Sequence, residues 1–220
     1  RSKLNKNFPI LALTATADAA TEKVIINEIF LQKPPMLIKG GYDRPNIHLS
    51  FMPKENSKKQ ILTFIQKYKE TNGIIYCSTR KNTEEMATYL TNNGYHALPY
   101  HAGLDNKKRN DTQESFIRND NIIITATTAF GMGIDKPNVR FVCHLNMPKN
   151  IESYYQEIGR AGRDRLPSYT LTLYGLDDIV LRTRQIESSE SDENNKRLEY
   201  QRLYALISLC EAPRCRRQVL

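Results

Sequence analysis

Three short runs leave this chain few architectures. Gly73 to Cys77, Ile122 to Ala126 and Val139 to Leu145 are dominated by Ile, Val and other apolar residues, without the strict polar alternation of a half-exposed strand. Runs of this kind belong in strands buried on both faces. Ala97 to His101 and Tyr169 to Tyr174 read as two further strands. Helical segments lie between them, from about Asn82 to Asn93 and from about Asn106 to Asn119. Strands alternating with helices of this length build βαβ units around a parallel sheet covered on both faces. The expected fold class is therefore α/β: a three-layer domain with a mostly parallel sheet, followed by a partial helical subdomain.

Either side of this alternation the chain is less regular. Phe8 to Leu13 is a short apolar run, Asp18 is placed to N-cap a helix reaching about Phe30, and Met36 to Lys39 looks like a short strand. Asp43-Arg44-Pro45-Asn46 is turn chemistry and marks a domain boundary. After the last strand, Glu187 to Glu193 is polar and acidic and reads as a loop, and a helix follows from about Asn194 to Leu209. The expected divisions are residues 1–42, 43–186 and 187–220.

A chain of 220 residues holds one full α/β domain with material to spare. Its formal net charge of +8 suits an anionic partner. There is no apolar run long enough to span a bilayer and no signal-peptide pattern. Because it opens on Arg1 rather than Met, the chain is expected to be a processed or excised piece. Four cysteines are too few and too scattered for a disulfide framework, and Cys77 and Cys143 sit where cysteine serves as a small buried hydrophobe. These features point to a reducing, intracellular compartment.

In parallel sheets ligands collect outside the carboxyl ends of the strands. Four clusters are expected there, on one side of the sheet. Ser78-Thr79-Arg80 offers hydroxyls, backbone N–H groups and a guanidinium for phosphate, or simply a helix cap. His101-Ala102-Gly103 carries a histidine that is either functional or a hydrogen-bonded structural residue. Thr125, Thr127 and Thr128 precede Phe130-Gly131-Met132-Gly133-Ile134-Asp135, where Gly131 and Gly133 would admit a ligand close to the backbone and Asp135 could accept from a ribose hydroxyl. The fourth is Gln156 to Asp164. If helical, it sets Gln156, Arg160 and Arg163 on one face, with Gly159 and Gly162 beside the arginines. Two guanidiniums a turn apart suit a polyphosphate or a nucleic-acid backbone, and the alternative is a solvated, salt-bridged face. The chain has no Gly-x-x-x-x-Gly-Lys-Ser/Thr loop to cradle a triphosphate and no acidic pair ending a strand to hold Mg²⁺. It could complete a nucleotide site, not build one.

These residues resemble the superfamily 2 helicases, and the RecQ DNA helicases closely. Leu13 to Ala17 resembles helicase motif III, the tail of a first RecA-like lobe, and Asp43 to Ile47 the stretch leading into the second. Gly73 to Arg80 is similar to motif IV, Tyr100 to Leu104 to the next family block, Thr125 to Arg140 to motif V, and Gln156 to Asp164, joined to Asn150 to Tyr155, to motif VI. Arg165 departs from relatives that carry Gly there. The resemblance implies that Arg160 and Arg163 reach ATP across an inter-lobe cleft, with Arg163 as the finger. It implies that Gln156 couples nucleotide to DNA and that Asp135 and Gly133 lie by the nucleotide. Ser78, Thr79, Arg80, His101, Thr125 and Thr127 would lie along a single-stranded DNA track, in salt-dependent, sequence-tolerant contact. ATP and Mg²⁺ would be held mainly by the first lobe of the same parent chain. That parent would unwind duplex DNA by 3′-to-5′ translocation in the bacterial cytoplasm or a nucleus, away from membranes. Cys215 resembles the first ligand of the RecQ zinc-binding subdomain, with the other three beyond Leu220, and Cys210 is core or spare. The chain alone is not expected to hydrolyse ATP. The alternatives are a DEAD-box-like RNA helicase lobe and a non-catalytic nucleic-acid-binding module.

Overall fold

A computed structural model describes residues 9–14, 19–30, 35–38, 43–131 and 134–220. The chain divides into two compact units, Arg1–Asp43 and Arg44–Leu220. Within the first, the described residues form one helix, α1 (Ala19–Phe30). Asp18, its expected cap, lies outside the described residues. The strand expected over Met36 to Lys39 is not formed: residues 35–38 are irregular, and Lys39 lies outside the described residues. So short an apolar run is no strand without a ladder to join.

The second unit is built on a six-stranded sheet in the order β1-β6-β5-β2-β4-β3. Its strands are β1 (Ile47–Pro53), β2 (Asn72–Tyr76), β3 (His96–Tyr100), β4 (Ile122–Ala126), β5 (Val139–His144) and β6 (Ser168–Tyr174), and every pairing is parallel. The helices are α2 (Ser57–Ile65), α3 (Arg80–Asn92), α4 (Asn106–Arg118), α5 (Ile151–Ile158), α6 (Leu176–Glu187) and α7 (Glu193–Glu211). Thr79, Asp105, Asn150 and Asp192 each accept a backbone N–H at the start of α3, α4, α5 and α7. Three elements carry weak sequence signals. β1 is an edge strand of mixed polarity, α2 is short, and α6 starts without a side-chain cap.

Side-chain parity along the strands makes the three layers. Ile75, Ile123, Phe141, Cys143, Leu171 and Leu173 face Ile61 and Ile65 of α2 and Met86 and Leu90 of α3. Ile74, Tyr76, Ile122, Ile124 and Val142 face Phe116 of α4. On β2, Gly73 is required because a Cβ there would lie 2.0 Å from the Phe141 ring. Burial pushes the Cys77 thiol up to about 12, in keeping with a packing role. Tyr154 and Ile158 of α5 pack with Leu206, Leu209 and Cys210 of α7.

Between β4 and β5 the described residues, 127–131 and 134–138, form no helix. Phe130 and Ile134 sink into the core on the α4 side. The chain thereby passes over that face, from the carboxyl end of β4 to the amino end of β5.

At the amino ends of β2 and β4, Asp120 accepts from Asn72 (3.0 Å), Asn138 (2.9 Å) and Lys136 (3.3 Å). Hydrogen bonds from Asn72, Asn138 and Lys136 hold its carboxyl down to about 2. An unfolded Asp titrates near ~3.9, so this contribution is complete above that pH and is lost as pH falls towards about 2. Asp120→Asn removes the titrating group. Denaturation at pH 5 and at pH 2.5 should therefore show a smaller acid-induced loss of stability in the variant than in the parent sequence.

Candidate functional site

The Gln156 to Asp164 run is not one helical stripe. α5 ends at Ile158, Gly159 is its C-cap, and residues 159–165 turn. Gln156 stays on the helix, while Arg160 and Arg163 project from the turn. The reason is Gly162, held at φ +55°, where a Cβ would lie 2.5 Å from Asn46 Nδ2, 2.6 Å from Ser168 Oγ and 2.8 Å from Leu166 O. What approaches this glycine is the protein itself. Its N–H donates to Val139 O (2.9 Å), the first residue of β5. Its carbonyl accepts from Arg44 Nη2 (2.9 Å) and Asn46 Nδ2 (2.9 Å).

Two more contacts fix the turn. Buried Glu157 meets His144 Nε2 at 3.0 Å, and His144 Nδ1 meets Thr172 Oγ1 at 3.0 Å, so the last turn of α5 is tied into the sheet. Arg140 Nη2 donates to both Asp164 carboxylate oxygens, at 2.7 and 2.6 Å. Burial disfavours the Asp164 carboxylate, but hydrogen bonds from Arg140 and the Leu166 N–H outweigh it and hold the carboxyl below the usual range.

The arginines reach back to the β4–β5 connection. Arg160 donates to Gly131 O. Gly131 sits at φ +140°, and a Cβ there would lie 2.2 Å from the Arg160 guanidinium carbon, so the close approach it permits is taken by Arg160. Arg163 Nη1 donates to Ile134 O (2.8 Å) and to Asp135 Oδ1 (2.6 Å), and the Asp135 side chain is 85% exposed. Gly133 lies outside the described residues. Arg160 Nε is buried and has no hydrogen-bond partner among the described residues.

The remaining candidates lie elsewhere. Thr79 Oγ1 accepts from Asn82 N–H (3.1 Å), the helix-cap alternative, and the Ser78 N–H donates to Asn146 Oδ1 (3.2 Å). Exposed Arg80 lies over Gly103, whose Cβ would sit 3.0 Å from its Cδ and Nη1. His101 is only 3% exposed. Its Nδ1 accepts from Gly103 N–H (3.2 Å), which leaves Nε2 to donate to Glu84 (3.0 Å). Thr127 N–H bonds Tyr100 O (3.2 Å). Thr125 needs correction: it is 0% exposed and its hydroxyl donates to Thr83 O (2.9 Å), holding α3 to β4 rather than facing a ligand.

The candidates therefore do not share one end of the sheet. Ser78, Thr79, Arg80, His101 and Thr127 stand at the carboxyl ends of β2, β3 and β4. Arg160, Arg163 and Asp135 stand near the amino ends of β5 and β6. The division follows from the parallel crossovers: Asp135 approaches the amino end of β5 after β4, and Arg160 and Arg163 follow α5 on the way to the amino end of β6.

Sequence reasoning missed a partly buried chain of contacts at the carboxyl ends. Lys54 Nζ meets Asp178 (2.6 Å) and Asp177 (3.1 Å), and Asn146 Nδ2 donates to Asp178 Oδ1 (3.0 Å). With the Asn146–Ser78 bond, this links the ends of β1, β5 and β2 to the start of α6. Its sequence cue was the Asp177-Asp178 pair in the first turn of α6, three residues past the end of β6.

No zinc set is assembled here. Among the described residues no three of His, Cys, Asp or Glu converge, and structural zinc takes four ligands. Cys215 is exposed; Cys210 is buried, and burial pushes its thiol up to about 12. No helix among the described residues is long and apolar enough to cross a membrane.

Residues 54–165 match the helicase conserved C-terminal domain. The chain belongs to that family. This helicase lobe is followed by a match to the RecQ zinc-binding family over residues 176–220. It is 44% identical over 213 residues to "ATP-dependent DNA helicase RecQ" of Pasteurella multocida, covering 96% of this chain and 33% of that protein. It is 42% identical over 215 residues to "Putative ATP-dependent RNA helicase R290" of Acanthamoeba polyphaga mimivirus, covering 97% of this chain and 39% of that protein. The lobe thus spans about a third of such relatives. A solved structure of Saccharomyces cerevisiae dbp5 bound to gle1 shares the fold at TM-score 0.64 and 18% identity, covering 91% of this chain and 55% of that one.

Proposed function

We propose that this RecQ-type lobe supplies Arg163, assisted by Arg160, to the phosphates of ATP held mainly by a first lobe of the same parent. The observation that carries the reading is the pinned turn. It presents two guanidiniums to the β4–β5 connection, one in an exposed ion pair with Asp135 and the other with a buried Nε that has no partner among the described residues. An exposed pair such as Arg163–Asp135 contributes at most about 1 kcal/mol, so little opposes its exchange for a triphosphate. Asp135 and Gly133 would then lie by the nucleotide, with Mg²⁺ on the other lobe, and Gln156 would couple the nucleotide to DNA. Exposed Arg80, with Ser78, Thr79 and Thr127, forms the surface proposed for single-stranded DNA, and His101 orients Gly103 beside it.

On this reading residues 1–42 are the tail of the first lobe, 43–186 the second lobe, and 187–220 the acidic loop and the start of a zinc-binding subdomain to which Cys215 would give one ligand. The parent would unwind duplex DNA 3′-to-5′, away from membranes. The names of the similar proteins include a DNA and a putative RNA helicase, so the substrate is tested directly. The parent should unwind a 3′-tailed DNA duplex and leave the matched RNA duplex intact, and the 220-residue chain alone should show no ATP hydrolysis. Preference for RNA, or hydrolysis by the chain alone at the parent's rate, would overturn the reading.

A further inference from the structure

We infer that Arg44 is a positioning residue through which the chain entering the lobe sets the geometry of the arginine turn. The inference rests on the proposed role of Arg163. Arg44 is the first residue of the second unit. It opens a β-turn closed by Ile47 N–H to Arg44 O (2.9 Å), with Pro45 fixing φ at the second position. From there its guanidinium reaches more than a hundred residues along the chain. Nη1 donates to Gly159 O (3.3 Å), and Nη2 donates to Ala161 O (3.0 Å) and Gly162 O (2.9 Å).

These carbonyls belong to the turn that follows α5, whose own backbone bonding is sparse; Gly162 O also accepts from Arg165 N–H (2.9 Å). A flat, permanently charged fork with five N–H donors can span three of them; an ammonium on a flexible stem does so poorly. Gly159 and Ala161 flank Arg160, and Gly162 precedes Arg163. Asn46, two residues on, adds bonds to Gly162 O (2.9 Å) and Leu166 O (3.0 Å). Both sides of the arginine-bearing turn are therefore gripped by the segment that begins at the unit boundary. A change in direction of the chain at residues 43–44 moves donors that hold the carbonyls on either side of Arg160.

The test uses the two-lobe parent with Arg44→Ala and Arg44→Lys, read by DNA-stimulated ATP hydrolysis, thermal melting and amide exchange over residues 159–166. The expected result for Arg44→Ala is a kcat lower by about 10- to 100-fold, as for a misplaced catalytic group. KM for ATP and Tm stay unchanged, and exchange is faster at Gly162 and Arg165. Arg44→Lys should recover only part of kcat. Any other pattern overturns the inference, including kcat within twofold of the parent or a fall in kcat that tracks a fall in Tm, which is what a merely structural cap gives. Arg163→Ala in the same parent separates the two readings: if it still hydrolyses ATP, the assignment of Arg163 fails, while the exchange rates in Arg44→Ala still judge the clamp.

Discussion

Arg163→Ala in the two-lobe parent should lower DNA-stimulated ATP hydrolysis by about 10³-fold or more, the range over which an arginine finger acts in nucleotide hydrolysis. Single-stranded DNA affinity should change little, because Arg80 and its neighbours stand at the other end of the sheet. The fold should also be indifferent. Among the described residues Arg163 donates to Ile134 O and to the exposed Asp135 carboxylate, and Asp135 left alone remains in water. Lysine at this position keeps the charge but not the planar fork, so it should restore only a small part of the rate. Steady-state kinetics with a filter-binding control decide the matter. Hydrolysis within a few-fold of the parent removes Arg163 from the catalytic site, and loss of DNA binding with it would mean that the two ends of the sheet are not separate.

Gly162→Ala should cost the lobe a large part of its stability. The residue sits at φ +55°, and its new Cβ would meet Asn46 Nδ2, Ser168 Oγ and the Leu166 backbone oxygen, all within 2.8 Å. Side chains can give way, but the Leu166 carbonyl belongs to the turn itself. Backbone strain of about 1–3 kcal/mol and overpacking of about 1–3 kcal/mol together predict a loss near ~3 kcal/mol and a Tm lower by roughly 10 °C for a chain of this size. Gly159→Ala is the internal comparison. That residue has ordinary helical dihedrals (φ −61°), and its Cβ would meet only Tyr155 O at 3.0 Å and Gln156 O at 3.6 Å. Chemical denaturation of both variants should separate them by at least about 2 kcal/mol. Equal stabilities would show that the left-handed turn is not what ends α5.

The strands and helices that build the layers are legible because their signals are local. β2, β4 and β5 are apolar on both sides of the pleat, and α3 and α4 follow capping residues that the chain announces. Other features are set by residues far apart. The glycines between Gln156 and Asp164 are compatible with a ligand site or a helix end; that Asn46 and Arg44, more than a hundred residues earlier, fill the space and bond the carbonyl at Gly162 is not written in the run itself. Thr125 shows the same limit on a smaller scale. A threonine at a strand end reads as available, and only the position of Thr83 on α3 takes its hydroxyl inside. The division of the candidate site between two ends of the sheet was legible in the order of elements: Arg160 and Arg163 follow a helix and precede a parallel strand, whereas Ser78 and His101 closely follow strands.

The sheet order also has a consequence in time. β1 is the first strand made and an edge of the sheet, and its neighbour is the last: Thr170 donates to His48 O across 122 residues of chain. A ribosome adds about 5–20 residues per second, so β1 waits on the order of ten seconds for its ladder. Until then Ile47 and Phe51 have no β6 to lie beside, and the carbonyls that Arg44 holds are made only shortly before that strand. The turn that carries Arg160 and Arg163 is therefore assembled near the end of folding. A nascent chain stalled before Gly159 would have the central strands of the sheet and none of the carbonyls that fix the arginine geometry.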